Sequence, residues 1–114
     1  MSLMNLPDED KEAVLQCMRA IAESQLIEDW EIHTRLGLNR ETLRAVVSRW
    51  PNIDDSVVDS DAYLAINNCM NEICHGVHIP TEEWDKWFTM TRAQILDSYR
   101  KWSGRRGEYF SGLR

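Results

Sequence analysis

The chain has 114 residues, of which 43% are hydrophobic and 28% charged, with a net charge of −6. That is enough chain for one ordinary domain with a packed core, and too apolar for a disordered segment. An evenly spread negative charge would argue against nucleic-acid binding, which needs Lys and Arg at the phosphates. The charge is instead laid out in blocks. Residues 1–34 carry −6, 35–50 carry +3, 51–91 carry −7 and 92–114 carry +4.

In chain order, Pro7-Asp8-Glu9-Asp10 reads as a helix start, with acids in the first turn complementing the dipole. Val14, Leu15, Met18, Ile21, Ala22 and Leu26 continue a helical stripe, so a helix is expected over 8–26. A short helix follows over 28–36, with Trp30, His33 and Leu36 sharing a face by i, i+3 spacing. Gly37 can close it in the left-handed conformation, and Asn39 can cap the next helix. That helix, 39–50, carries Leu43, Val46, Val47 and Trp50 and should stop before Pro51.

An acidic linker covers 51–60, and then the pattern returns. A helix is expected over 60–75, marked by Ala62, Ala65, Ile66, Cys69, Met70 and Ile73. His75 to Pro80 reads as a loop. Thr81 is expected to cap a short helix, and Thr91 a last one over 91–103 whose stripe is Ile95, Ser98/Tyr99 and Trp102. Ser103-Gly104 ends it, and a frayed basic tail is expected over 105–114. No stretch alternates, so no sheet is predicted.

The return is an internal repeat. At an offset of 52 residues, 8–50 aligns without gaps to 60–102 with 8 identities over 43 positions. The matches are Ala13/Ala65, Cys17/Cys69, Met18/Met70, Ile21/Ile73, Ile27/Ile79, Glu31/Glu83, Arg40/Arg92 and Trp50/Trp102. Unrelated segments of average composition would share roughly 2 or 3. The expected fold is therefore all-α: two tandem three-helix repeats packed as one compact helical domain spanning 1–114. A pseudo-two-fold relation between the units is compatible with the offset but does not follow from it.

The segment Glu31 to Val47, and above all its Leu36-Gly37-Leu38-Asn39 turn, resembles the helix-turn-helix of bacterial transcription regulators. The resemblance covers about 20 residues of the first unit. It implies that the 39–49 helix lies in the major groove of DNA, exposing Asn39, Arg40, Thr42 and Arg44 to base edges, with Arg49 near phosphate. The second unit departs from the pattern, because Thr89 stands where Gly37 does and a β-branched residue tolerates positive φ poorly.

Other motifs have plainer readings. Trp50 and Trp102 continue apolar stripes and read as plugs between units more readily than as interface anchors. Of Trp84 and Trp87, one is expected in the core and the other free for a partner. Cys69, Cys74, His75 and His78 form C-x4-C-H-x2-H, which lacks the paired C-x2-C of structural zinc sites, so no metal is expected. Cys74 and His75 are adjacent and point apart on a helix, which disfavours a catalytic pair. Glu82, Glu83 and Asp85 are ordinary first-turn acids. No phosphate loop or nucleophile elbow occurs.

These features lead to a non-enzymatic binding protein with no catalytic residues and no cofactor. It would be a small DNA-binding or transcription-associated regulator using helix 39–49. The alternative is a protein–protein interaction module, self-associating or meeting a partner through its acidic and basic faces. Three Cys, an odd number, and the lack of a signal peptide or membrane span point to a reducing cytoplasm. Cys17 and Cys69 are expected buried, and Cys74 more accessible.

Overall fold

The computed structural model describes residues 2–104. After a 3-10 turn at Leu3–Asn5, six α-helices follow among these residues, and no strand: α1 (Asp8–Glu23), α2 (Asp29–Leu36), α3 (Arg40–Ser48), α4 (Asp61–Asn71), α5 (Thr81–Trp87) and α6 (Arg92–Ser103). The expected basic tail, 105–114, lies outside the described residues. Helix α1 is the centre of the molecule. Acids fill its first turn, and from Ala13 to Ala22 every residue except Arg19 is buried. It packs against α3, α4 and α6. Met18 and Ile21 from α1 share one core with Ile66, Met70 and Ile73 from α4 and its continuation, Leu43 and Val46 from α3, and Ile95 from α6. A helix apolar on most of its circumference can only be stable when enclosed in this way.

The helix starts follow the sequence closely. Asn39 accepts a hydrogen bond from the Thr42 backbone N–H at 2.8 Å, and Thr91 forms a reciprocal capping box with Gln94. Gly37 closes α2 at φ 77°, in the left-handed region. Thr89 does not adopt a positive φ, and Phe88, which ends α5, is extended. The second turn therefore has a different conformation, as its side chain demands. Thr81 is the first residue of α5 and makes no side-chain cap; Pro80 occupies the cap position.

Three helix ends differ from the expected ones. Helix α1 stops at Glu23 instead of 26, because Arg40 takes the carbonyls that a further turn would have used. Helix α3 ends at Ser48, and Arg49 to Pro51 form a turn. Helix α4 does not run regularly to 75. It widens at Glu72–Gly76 into a π-helical segment that ends with the Val77 N–H bonded to the Glu72 carbonyl at 2.8 Å. A Cβ at Gly76 would stand 2.2 Å from Glu72 Oε1, so the carboxylate lies folded across the glycine. From there Glu72 accepts a hydrogen bond from Arg35 of α2 at 2.7 Å.

Trp102 is buried and donates its indole N–H to Asp55 at 2.7 Å, while the same carboxylate oxygen accepts from the Leu3 backbone at 2.9 Å. The N-terminal turn, the linker and the end of α6 meet at this one buried acid. Trp50 is only half-buried at the edge of the core, as are both Trp84 and Trp87.

Candidate interaction surface

Of the residues expected to meet DNA, Arg40 turns inward, and Asn39, Arg44 and Arg49 are exposed. Asn39 is exposed, with its side-chain oxygen held by the helix cap. Thr42 is half-buried beside it. Arg40 turns inward, its side chain only 10% exposed. Its Nη1 donates to the carbonyls of Ile21 (2.7 Å), Ala22 (3.0 Å) and Ser24 (3.1 Å), and its Nη2 to that of Ile27 (2.6 Å). Its Nε pairs with Asp29 at 2.6 Å. The guanidinium therefore closes the end of α1 and the loop after it, and presents no donor fork to a base edge.

Arg44 and Arg49 do face solvent. Arg44 lies 3.6 Å from Glu23, an ion pair between two exposed side chains. At about 100° per residue, Arg44 and Arg49 stand roughly 140° apart around α3. The arc between them carries Glu41, Ala45 and Ser48, all exposed. The outer face of α3 therefore has an arginine at each edge and a carboxylate in between. Sequence reasoning missed this because it ranked residues by distance from the helix start and not by angle.

It also missed Trp30. The expected shared face of Trp30, His33 and Leu36 is not the buried one. The core takes Ile32 and Leu36, an i, i+4 pair, and leaves Trp30 and His33 outside. The signal was available: Ile32 and Leu36 are the two aliphatic residues of α2. Trp30 is 74% exposed, whereas the other four tryptophans are half-buried or, at Trp102, buried. Its indole N–H donates to Glu28 Oε2 at 2.6 Å, which fixes the ring against the start of α2. Around it the chain is acidic. Residues 21–35 hold Glu23, Glu28, Asp29 and Glu31 against Arg35 alone. Glu31 binds Arg35 at 2.9 Å, and this bond, with that to Glu72, raises the guanidinium's already high pKa.

The cysteines are free thiols. Cys17 and Cys69 are buried, and burial holds both thiols well above their ordinary range. Cys74 is half-buried. Burial pushes it up to about 11, although Arg92 and Arg100 pull it back. A thiol with so little thiolate is a poor nucleophile. Among the described residues no group of three or more His, Cys, Asp or Glu is placed to hold a metal ion, and no helix is long and apolar enough to cross a membrane. Comparisons with protein-family models, with characterised proteins and with solved structures return no match to this chain.

Proposed function

We propose that this chain is a non-enzymatic binding protein, and that its ligand is another protein held at the α2 edge around Trp30. The exposure of Trp30 carries the reading. An indole left in water forgoes a large burial gain, and tryptophan is enriched at the energetic centres of protein interfaces. A reducing, cytoplasmic setting fits three unpaired thiols.

A DNA-binding regulator is the second reading, favoured by a separate observation. The left-handed Gly37 and the Asn39 cap set α3 so that Arg44 and Arg49 project outward. With Asn39 and Thr42 they could supply phosphate and polar contacts. Two features weigh against it. Arg40 is engaged inside the protein, and Glu23 and Glu41 would repel phosphate well within one Debye length.

We also infer that 8–50 and 60–102 are two copies of one three-helix unit. The support is that aligned residues make contacts at the same or the neighbouring position of the other unit. Arg40 donates to the Ile21 carbonyl, and Arg92 to that of Ile73. Gln16 of α1 bonds Thr89 in the second turn, and the aligned Asn68 of α4 bonds the Leu36 carbonyl at the first. The second pair is reciprocal between the units, as a pseudo-two-fold would make it.

Anisotropy titration of a duplex DNA over a salt series, with wild type and Arg44→Ala, separates the two binding readings. The expected result is at most weak binding that Arg44→Ala leaves unchanged. Tight, steeply salt-dependent binding that Arg44→Ala weakens would replace the protein reading by the DNA reading.

A further inference from the structure

We infer that the partner at the α2 edge presents a Lys- or Arg-bearing segment, and that Trp30 with its acidic surround is the seat for those cations. The inference rests on the protein-binding reading and names its chemistry. A ring face attracts a guanidinium or ammonium through its quadrupole, most strongly for tryptophan. The described residues already make such a contact, with Arg92 sitting 4.9 Å from the centre of the Trp84 ring. That internal pair is partly enclosed, whereas Trp30 lies open.

Charge complementarity selects the occupant. Glu28, Asp29 and Glu31 flank Trp30 in sequence, and each engages one carboxylate oxygen inside the protein: Glu28 with the Trp30 indole, Asp29 with Arg40 and Glu31 with Arg35. Asp29 keeps 79% of its side chain in water. These bonds fix the carboxylates in place and leave their other oxygens to accept from a cation. Glu28 acts as a brace as well, since its bond to the indole N–H holds the ring while its charge lies beside it. An acidic or phosphorylated segment would meet like charge here. A purely apolar one would bury a single ring and cover three carboxylates that each have one oxygen engaged and would gain no partner for the other.

The test uses three short labelled peptides of equal length: one Arg/Lys-rich, one with each base replaced by Gln, and one acidic. Binding to the full-length protein is read by anisotropy over a salt series. Trp30 is exposed, so Trp30→Ala should fold as wild type does, which circular dichroism checks. The basic peptide should bind, weaken with salt and lose about tenfold in affinity on Trp30→Ala. Glu28→Gln should reduce binding several-fold and flatten the salt dependence. If the Gln peptide binds as well as the basic one and needs Trp30, the cation inference falls while the protein reading stands. If the basic peptide binds Trp30→Ala undiminished, or none of the three binds, the seat is not here. If no peptide binds but duplex DNA does, and Arg44→Ala weakens it, both readings fall together.

Discussion

The Arg40 guanidinium reaches back along the chain to the carbonyl of Ile21, 2.7 Å from its Nη1. The last carbonyls of a helix have no partner within it, and in a crowded interior each must find one. Arg40 satisfies those of Ile21 and Ala22 at the end of α1, with those of Ser24 and Ile27 in the loop that follows. Arg40→Ala should therefore destabilise the fold by about 2–4 kcal/mol, since it strands buried acceptors and frees Asp29. Arg44→Ala, four residues on and solvent-facing, should cost about 0.5 kcal/mol or less. Urea unfolding of the two variants measures the contrast, and equal costs would mean that the Arg40 contacts contribute nothing net.

The elements of the fold were legible because local chemistry sets them. Gly37 closes α2 as only a residue at ease with positive φ does, and Asn39 and Thr91 each start a helix by accepting a backbone N–H. The stripe of α1 foretold burial that the structure extends almost all round. The direction of Arg40 was not legible, because its carbonyl partners lie 13 to 19 residues away in sequence. Local pattern marks an arginine on a short helix as exposed, and only the packing of α1 against α3 reverses that. The π-helical turn was hidden for the same reason: it depends on where Glu72 lies relative to Gly76 and Arg35. Trp30 could have been placed by asking which residues of α2 the core would take, since Ile32 and Leu36 fill one side.

The buried thiols make stability fall at alkaline pH. Cys74 rises from 9.0 to about 11, and Tyr99 from 10.0 to about 12, in both cases chiefly through burial. Cys17 and Cys69 move in the same direction. A group whose folded pKa is raised keeps its proton in the folded chain while the unfolded chain has lost it, so unfolding is favoured as pH climbs. Stability should be flat with respect to these groups below about pH 8 and decline from about pH 9 upward. The urea midpoint followed from pH 7 to 10.5 checks this, and a midpoint that rose across the range would contradict the burial of the thiols. At pH 7 a thiol reagent should label Cys74 first, and slowly, with Cys17 and Cys69 reacting only on unfolding.

Gly76 is expected to reverse the sign of its substitution according to Glu72. Alanine ordinarily favours helical backbone over glycine by about 0.5–1 kcal/mol. Here its Cβ would meet Glu72 Oε1 and push the carboxylate off Arg35, a contact with Glu72 only 12% exposed. Gly76→Ala should destabilise the wild type by about 1 kcal/mol and be neutral or stabilising in a Glu72→Ala background. A double-mutant cycle reads this directly, and the same cost in both backgrounds would place the strain in the backbone.

Asn68 links the core to the edge on which Trp30 stands. Its Nδ2 donates at 2.7 Å to the carbonyl of Leu36, the last residue of α2, just before the left-handed Gly37. The aligned Gln16 holds the other turn twice, through Thr89 Oγ1 at 2.8 Å and the Thr89 backbone N–H at 3.1 Å. Asn68→Ala should cost about 1–2 kcal/mol, and Asn68→Asp at least as much, because a carboxylate keeps the acceptor and loses the donor that Leu36 needs. Amide exchange should quicken selectively from Gly37 to Asn39, as the turn opens without global unfolding. The Gln16→Ala protein should show the matching effect at Thr89 and leave Gly37 protected. Exchange at Gly37 unaltered in Asn68→Ala would mean that the glycine and the Asn39 cap hold the turn alone, and that the position of α2 relative to α4 does not depend on this bond.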